Sequence, residues 1–494
     1  MRGSGNGDSK TIPYRGCPIS HPIIVDLDGT LIHTDMLHES ALWVLRDKPL
    51  DVLRIPGWLM NGKAVLKREL AGRSAFHADA LPYNESLLEW LGQQRLAGRK
   101  LILCTASDQS IAEAIAGHLG VFDEVMASNG ELNLAGRNKA AALVRRFGEG
   151  GFDYVGNSSA DLAVWNLARR AIVVNAPDSI VRQARERCEV EQVFPRARPG
   201  WRSWGRILRV HQWIKNLLLF IPLMAGHAFS STEPWLALAL AFMSFSLCAS
   251  TVYIANDLLD LESDRQHPRK RARPFASGLV PAWMGVVLAP VLLALSLVLA
   301  SGVGGNFLPW LLFYFALTCA YSWGLKRLIL VDCLTLAMLY TLRIVAGAAA
   351  ADIALSFWLL AFSVFLFLSL SFVKRYAELQ VQILAGKQKV HGRGYLTSDA
   401  PLIQMLGITA GYAAVVVLSL YLNSDSVLVL YRQPEIVWGA VPVMLFWVSW
   451  MWMQAHRGQM HDDPLVFAVK DRPSLAAGLA FGAVLAAGAA GVAW

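Results

Sequence analysis

Charge is scarce in this chain. Of 494 residues only 17% are charged, against 55% hydrophobic, and the mean hydropathy of +0.40 excludes an ordinary soluble protein. Cysteine is sparse and unpaired in pattern. None of Cys17, Cys104, Cys188, Cys248, Cys319 and Cys333 forms a CxxC, which excludes a disulfide framework and a cysteine zinc site. Met1–Lys10 is polar and has no apolar core, so no cleavable signal peptide is expected and the first domain is expected to stay in the cytoplasm. Also missing is a repeat relating two halves of the apolar part, the pattern that would favour a transporter.

What is present is unevenly distributed. Residues 1–200 have soluble composition, with a first domain expected over 1–192, whereas from about 210 onward long apolar runs dominate. The net charge of +8 sits in short loops between those runs, a pattern of membrane topology rather than of nucleic-acid binding. Nine spans of about bilayer length are expected near 213–229, 234–256, 282–301, 306–323, 329–349, 355–373, 402–422, 436–453 and 474–493. Alternate loops hold nearly all the Lys and Arg, which orients them and the N-terminus to the cytoplasm by the positive-inside rule. A bacterial-type inner membrane is the expected location, with homo-oligomerisation left open.

In the soluble part, Ile23–Leu27, Lys100–Ala106, Phe122–Ala127, Phe152–Gly156 and Ala171–Ala176 read as buried strands separated by amphipathic helices. That is the pattern of an α/β domain with a parallel sheet, and residues 36–98 look like a helical cap inserted into its first crossover. A linker at 193–209 carries Pro195 and Pro199, then Trp201, Trp204 and three arginines, as expected of an interfacial helix.

The densest chemistry follows the second apolar span. On a helix, Asn256, Asp257, Asp260 and Asp264 fall within an arc of about 100°, and acidic groups at a membrane rim are expensive enough to suggest function. A carboxylate–amide face suits Mg²⁺, which takes few protein oxygens and completes its shell with water and phosphate. The basic run Arg265–Arg273, including Lys270 and Arg273, follows at once. Lys215, Asn216, Tyr321, Lys326, Lys374 and Arg375 end spans on the same expected side, so the whole rim reads as a diphosphate-binding mouth. Arg343, inside a span, is expected to face the bundle interior and to meet a phosphate or pair with Asp352.

Residues 205–494 resemble the UbiA superfamily of intramembrane prenyltransferases, on the intact NDxxDxxxD pattern at Asn256–Asp264 and the span count. The segments His211–Asn216, Asp264–Pro274 and Phe372–Glu378 are most similar to the branch that includes decaprenyl-phosphate phosphoribosyltransferase. The resemblance implies Asp257 and Asp260 as catalytic and, with Asp264, metal-binding. It also implies a donor of phosphoribosyl diphosphate and an acceptor of polyprenyl phosphate. A prenyl diphosphate with an aromatic acceptor is the alternative in the same superfamily, and a transporter or receptor with a sensing domain the alternative of another class.

Asp26 and Asp28 leave the first strand two residues apart, with Gly29 permitting the turn. One can attack phosphorus while the other moves the proton. With Thr105, Lys139 and Asp161 in order, residues 20–190 resemble the haloacid-dehalogenase-type phosphatases. The resemblance implies Asp26 as nucleophile, Asp28 as acid/base, Thr105 and Lys139 as phosphate ligands, and Asp26, Asp28 and Asp161 around Mg²⁺. Asn157 stands where that family usually has an acid, so weaker metal binding or a degenerate domain is the alternative. The remaining histidines, His33, His211, His227 and His391, are scattered, and structural roles are expected for them.

Overall fold

The structure is a computed structural model, and it describes residues 21–129, 133–226, 232–389, 392–424, 427, 431–460 and 463–491. Cys17, His227, His391 and the first ten residues lie outside them. Two compact units are present. One comprises the chain up to Gly200 together with Asp257–Gly285, and the other Trp201–Asn256 with Val286 onward. The division therefore differs from a single cut near 193–209, because the loop after the second apolar helix belongs with the first unit.

In the first unit, β1 (Ile23–Val25), β2 (Leu101–Asp108), β3 (Glu124–Ser128), β4 (Asp153–Gly156), β5 (Arg170–Val174) and β6 (Glu189–Phe194) form one parallel sheet in the order β3-β2-β1-β4-β5-β6. The strand order reverses between β1 and β4, and in such sheets the crevice beyond the carboxyl ends at that point takes the ligand. The five expected strands are all present. The sixth, β6, is an edge strand whose half-exposed EVEQVF lacks the buried-strand pattern. Helices Met36–Asp47, Lys63–Ala71 and Glu85–Leu96 fill the crossover between β1 and β2, as expected of a cap.

Asp153, at the start of β4, is fully buried and ion-paired to Arg99 and Arg169, the latter with Nε at 2.9 Å. It ties the sheet to the segments on either side of it.

The second unit is helical. Seven helices are long and apolar enough to cross a bilayer: Glu233–Leu259, Ala282–Val303, Val331–Ala351, Phe357–Leu384, Thr397–Leu422, Pro434–His456 and Arg472–Ala490. Nine spans are not found among the described residues. Phe307–Trp323 is apolar but only 17 residues long. The expected first span is instead a 3₁₀ stretch, Val210–Phe220, followed by the short helix Ile221–Ala225, with Pro222 near its start. This segment is pressed against a neighbour. A Cβ on Gly347 would lie 2.0 Å from the Leu219 carbonyl oxygen, so only glycine lets the two backbones approach.

Asp153→Ala strands two guanidiniums that now share one buried carboxylate. Such a loss costs about 3 kcal/mol, so the thermal transition of the N-terminal domain should fall by roughly 6–12 °C in calorimetry of the purified protein. An unchanged midpoint would show that Arg99 and Arg169 do not need it.

Candidate functional sites

β1 delivers Asp26 to the crevice, and the Asp26 N–H extends the ladder to the Val155 carbonyl at 3.0 Å. Gly29 turns the chain away at φ +71, and a Cβ there would lie 2.1 Å from Asn157 Nδ2. Asp26 Oδ1 accepts from Lys139 Nζ at 2.6 Å, and Lys139 also donates to the Tyr154 hydroxyl at 2.9 Å. Asp28 accepts from the Met36 N–H at 2.8 Å and from Ser107 Oγ at 2.6 Å. The cavity in front of these groups has a volume of about 390 Å³ and is lined by Asp26, Asp28, Lys67, Lys139, Asn157 and Asp161 among others.

Burial pushes the Asp26 carboxyl up to about 7, with Lys139 pulling it back. Burial, then repulsion from Asp35, pushes Asp28 up to about 6. Burial alone lowers the Lys139 ammonium, but Asp26 and Asp161 outweigh it and raise it above the usual lysine value.

Two of the expected site residues make hydrogen bonds within their own segments. Asp161 lines the cavity with its carboxylate already bonded: Oδ1 accepts from the Tyr154 hydroxyl at 2.7 Å, and Oδ2 from Asn157 N, Ser158 N and Ser158 Oγ at 2.8–3.0 Å. Those four bonds fold the loop after β4. Thr105 is fully buried and its hydroxyl oxygen accepts from the Ser107 N–H at 3.0 Å, a bond within the last residues of β2. Two groups were missed. Ser107 reaches Asp28, and the cap lysine Lys67 lines the cavity with Nζ 2.7 Å from the Ala106 carbonyl. Nothing in their sequence context marks them out.

The acidic motif spans a helix break. Asn256 and Asp257 end the helix Glu233–Leu259, Asp260 sits in the turn, and Asp264 lies in the short helix Leu261–Gln266. The Asp264 N–H still bonds the Asp260 carbonyl at 2.8 Å, so helical spacing persists across the break. Arg273 Nη1 lies 3.1 Å from Asp257 Oδ1 and 2.6 Å from Asp264 Oδ2, and Lys270 Nζ is 3.9 Å from Asp264. Burial raises the Asp264 carboxyl, with Arg273 opposing. Asn256 donates to Ser322 Oγ at 3.0 Å.

In the helical unit, Asp463 gathers charges that the sequence scatters. It accepts from Lys215 Nζ at 2.7 Å, Lys374 Nζ at 3.3 Å and the Tyr340 hydroxyl at 3.0 Å. Burial alone would raise this carboxyl, but Lys215 and then Lys374 hold it well below the usual range. Asp463 was overlooked, although an Asp before Pro464 at a helix start is a recognisable capping signal.

Arg375 does not stay with Lys374. It is wholly buried and paired with Asp332 at 2.6 Å and with Glu378, while Arg393 reaches Asp332 and the Tyr321 hydroxyl, the latter at 3.1 Å. Adjacent residues on a helix point about 100° apart, and here they enter different networks. Asn216 is also internal, donating to Ser246 Oγ and accepting from Arg343 Nε, both at 2.9 Å. Arg343 also donates to the Tyr314 hydroxyl at 2.8 Å. Its expected partner Asp352 caps the end of Val331–Ala351 instead. Lys326 lies in the turn Leu325–Arg327.

Among the described residues no three His, Cys, Asp or Glu side chains converge as a ready-made cation site. The donors nonetheless suit Mg²⁺. Asp257 and Asp264 are both under 5% exposed and share one guanidinium, so the pair demands positive charge, and all donors are hard oxygens. Asp26 with the Asn157 amide oxygen offers a thinner set of the same kind.

Residues 218–469 match the family model described as UbiA prenyltransferase family, and residues 23–165 match that of haloacid dehalogenase-like hydrolase. The chain is 39% identical to the uncharacterized protein y4nM of Sinorhizobium fredii over 92% of this chain and 88% of that one. It is 41% identical to nodulation protein NoeC of Azorhizobium caulinodans over 56% of this chain and 90% of that one. With decaprenyl-phosphate phosphoribosyltransferase of Mycolicibacterium smegmatis it shares 33% identity over 54% of this chain and 86% of the relative. The helical half with its acidic motif thus places the chain in the UbiA prenyltransferase family, as a transferase carrying a haloacid dehalogenase-like domain at its N-terminus.

Proposed function

We propose that this membrane enzyme transfers phosphoribose from phosphoribosyl diphosphate to a polyprenyl phosphate and releases diphosphate. The observation that carries the proposal is the pair of buried carboxylates, Asp257 and Asp264, bridged by Arg273 and followed by the basic run through Lys270. The likeness to decaprenyl-phosphate phosphoribosyltransferases favours this donor over a prenyl diphosphate, which is the second reading. The Lys and Arg distribution supports a cytoplasmic N-terminal domain and motif in an inner membrane.

An acceptor phosphate oxygen forms the new bond to C1 of the sugar as the C1–oxygen bond to diphosphate breaks and the electron pair leaves with the diphosphate. Asp257, Asp260 and Asp264, with Asn256, would hold Mg²⁺, which would supply positive charge for the leaving diphosphate. Lys270 and Arg273 contribute cations to the same developing charge, and Lys215 and Lys374 hold phosphate oxygens. Tyr321 and Lys326 remain rim ligands in this scheme, whereas Asn216 and Arg375 act through the packing of the bundle.

The N-terminal domain is proposed to remove the 5-phosphate from the lipid-linked product. Asp26 attacks phosphorus, with Lys139 favouring its ionised form. Asp28, whose value of about 6 keeps a proton within reach near neutral pH, protonates the departing sugar oxygen and then takes a proton from the water that displaces phosphate from Asp26.

Asp257→Asn should lower transfer by about 10²–10³-fold in a radiolabel assay with the protein still folded, and chelation of Mg²⁺ should do the same reversibly. Full activity in either case would remove the motif from the chemistry. When labelled phosphoribosyl diphosphate and prenyl diphosphate are offered separately with their acceptors, the first should be consumed. Consumption of only the second would establish the alternative. Asp26→Asn should abolish phosphate release from the lipid product while transfer persists, and equal release by both proteins would refute the phosphatase step.

A further inference from the structure

The cap of the first unit has a tip that is apolar on two faces. After the helix Met36–Asp47 the chain runs through the 3₁₀ turn Pro49–Arg54 and the short helix Ile55–Met60, then enters the helix Lys63–Ala71. Val52, Ile55 and Trp58 turn inward and pack with Val44, Leu66 and Leu70 as the small core of the cap. Leu50, Leu53 and Met60 are left 79–88% exposed, and Leu59 is half exposed. Side chains three apart in a 3₁₀ turn eclipse one another, so Leu50 and Leu53 share one edge. A single exposed leucine is ordinary on a protein surface, but four large apolar side chains on one short tip mark a contact surface.

Where the tip is held, and its charge, identify what covers it. Arg46, just before the tip, has Nη1 3.6 Å from Glu262 Oε2, and on the same cap helix Glu39 accepts from Arg265 Nη2 at 2.7 Å. Glu262 and Arg265 stand in the short helix Leu261–Gln266, which directly follows the membrane helix Glu233–Leu259. The cap is therefore tied, one turn before its exposed tip, to the stretch of chain that has just left the bilayer. From Arg46 to Arg73 the chain has seven Lys and Arg against three acids, Asp47, Asp51 and Glu69. Each of those acids is paired within the cap, with Arg46, Arg54 and Arg73 respectively. Lys48 and Lys63, at either end of the tip, are exposed.

An apolar patch rimmed by net positive charge matches an anionic lipid surface. It matches a second copy of the chain less well. A stable protein interface takes about 800 Å² and roughly twenty to thirty residues from each side, whereas this surface is four side chains of one tip. A bilayer needs less, because the membrane helices already hold the tip within reach and make its insertion an intramolecular step.

We propose that the cap tip Pro49–Met60 docks in the interfacial layer of an anionic bilayer. Leu50, Leu53, Leu59 and Met60 enter the boundary of headgroups and acyl chains, with Lys48, Arg54 and Lys63 at the headgroup charge. The same cap supplies Lys67 to the cavity around Asp26. The docking stands on the tip's own chemistry, and its consequence rests on the phosphatase reading above: a cap held at headgroup level favours a phosphate carried by a lipid over a soluble one.

Leu53→p-benzoylphenylalanine and Met60→p-benzoylphenylalanine, in the full chain in nanodiscs with radiolabelled phosphatidylglycerol, read the contact directly on irradiation. Leu96→p-benzoylphenylalanine is the reference, since Leu96 is as exposed but ends another helix, Glu85–Leu96. Positions 53 and 60 should give at least about fivefold more lipid adduct than position 96. Equal adduct at all three, no lipid adduct, or a crosslink to a second copy in its place would overturn the docking. The combined variant Leu50→Ser, Leu53→Ser, Met60→Ser changes only exposed side chains and leaves the cap core in place. Its KM for a polyprenyl-linked 5-phosphoribose in nanodiscs should rise at least about fivefold, while turnover of p-nitrophenyl phosphate changes less than about twofold. Equal loss on both substrates, or no change on either, would overturn the catalytic consequence. No phosphate release from either substrate by the wild-type protein would refute the phosphatase reading instead, and the adducts would still decide the docking.

Discussion

The Asp463 side chain is only 6% exposed, with Lys215 at 2.7 Å, and these two residues are 248 positions apart in the chain. A buried carboxylate without a partner would cost several kcal/mol, so this contact fixes where the first apolar segment meets the loop before the last helices. The same demand recurs throughout. Asp26 finds Lys139, Asp153 finds Arg99 and Arg169, Asp332 finds Arg375 and Arg393, and Asp257 and Asp264 share Arg273. Each buried acid selects a cation, and those pairings determine which charged residues stay available for phosphate.

The pairings sort the charged and polar groups of the rim into two kinds. Arg375 and Asn216 sit in buried networks of the bundle, where they hold helices in register. Lys215, Lys374 and Arg273 share acceptors with other cations or bridge two acids, so the charge around them is incompletely balanced or exchangeable. In the N-terminal domain the division is similar: Asp26, Asp28 and Asp161 all line the cavity, but Asp161 accepts four hydrogen bonds that hold the loop after β4.

The order of elements, the parallel sheet, the cap and the apolar helices were legible from residue pattern alone, since hydrophobic periodicity and strand-ending Asp-x-Asp are local signals. The edge strand β6 was not, because one solvated face removes the buried-strand signature. The first expected span also failed: hydropathy counts apolar residues but not the backbone, and close packing at Gly347 with Pro222 nearby accommodates a 3₁₀ segment rather than a continuous helix.

By itself, the sequence determined which residue types could carry the chemistry, because acidic and basic side chains at the ends of apolar runs are costly anywhere else. Only the tertiary structure decided which of them are spent on one another. Lys374 and Arg375 are neighbours in sequence and alike in charge, yet one turns to Asp463 and the other to Asp332. A helix sends adjacent side chains in different directions, and long-range folding supplies what each one meets.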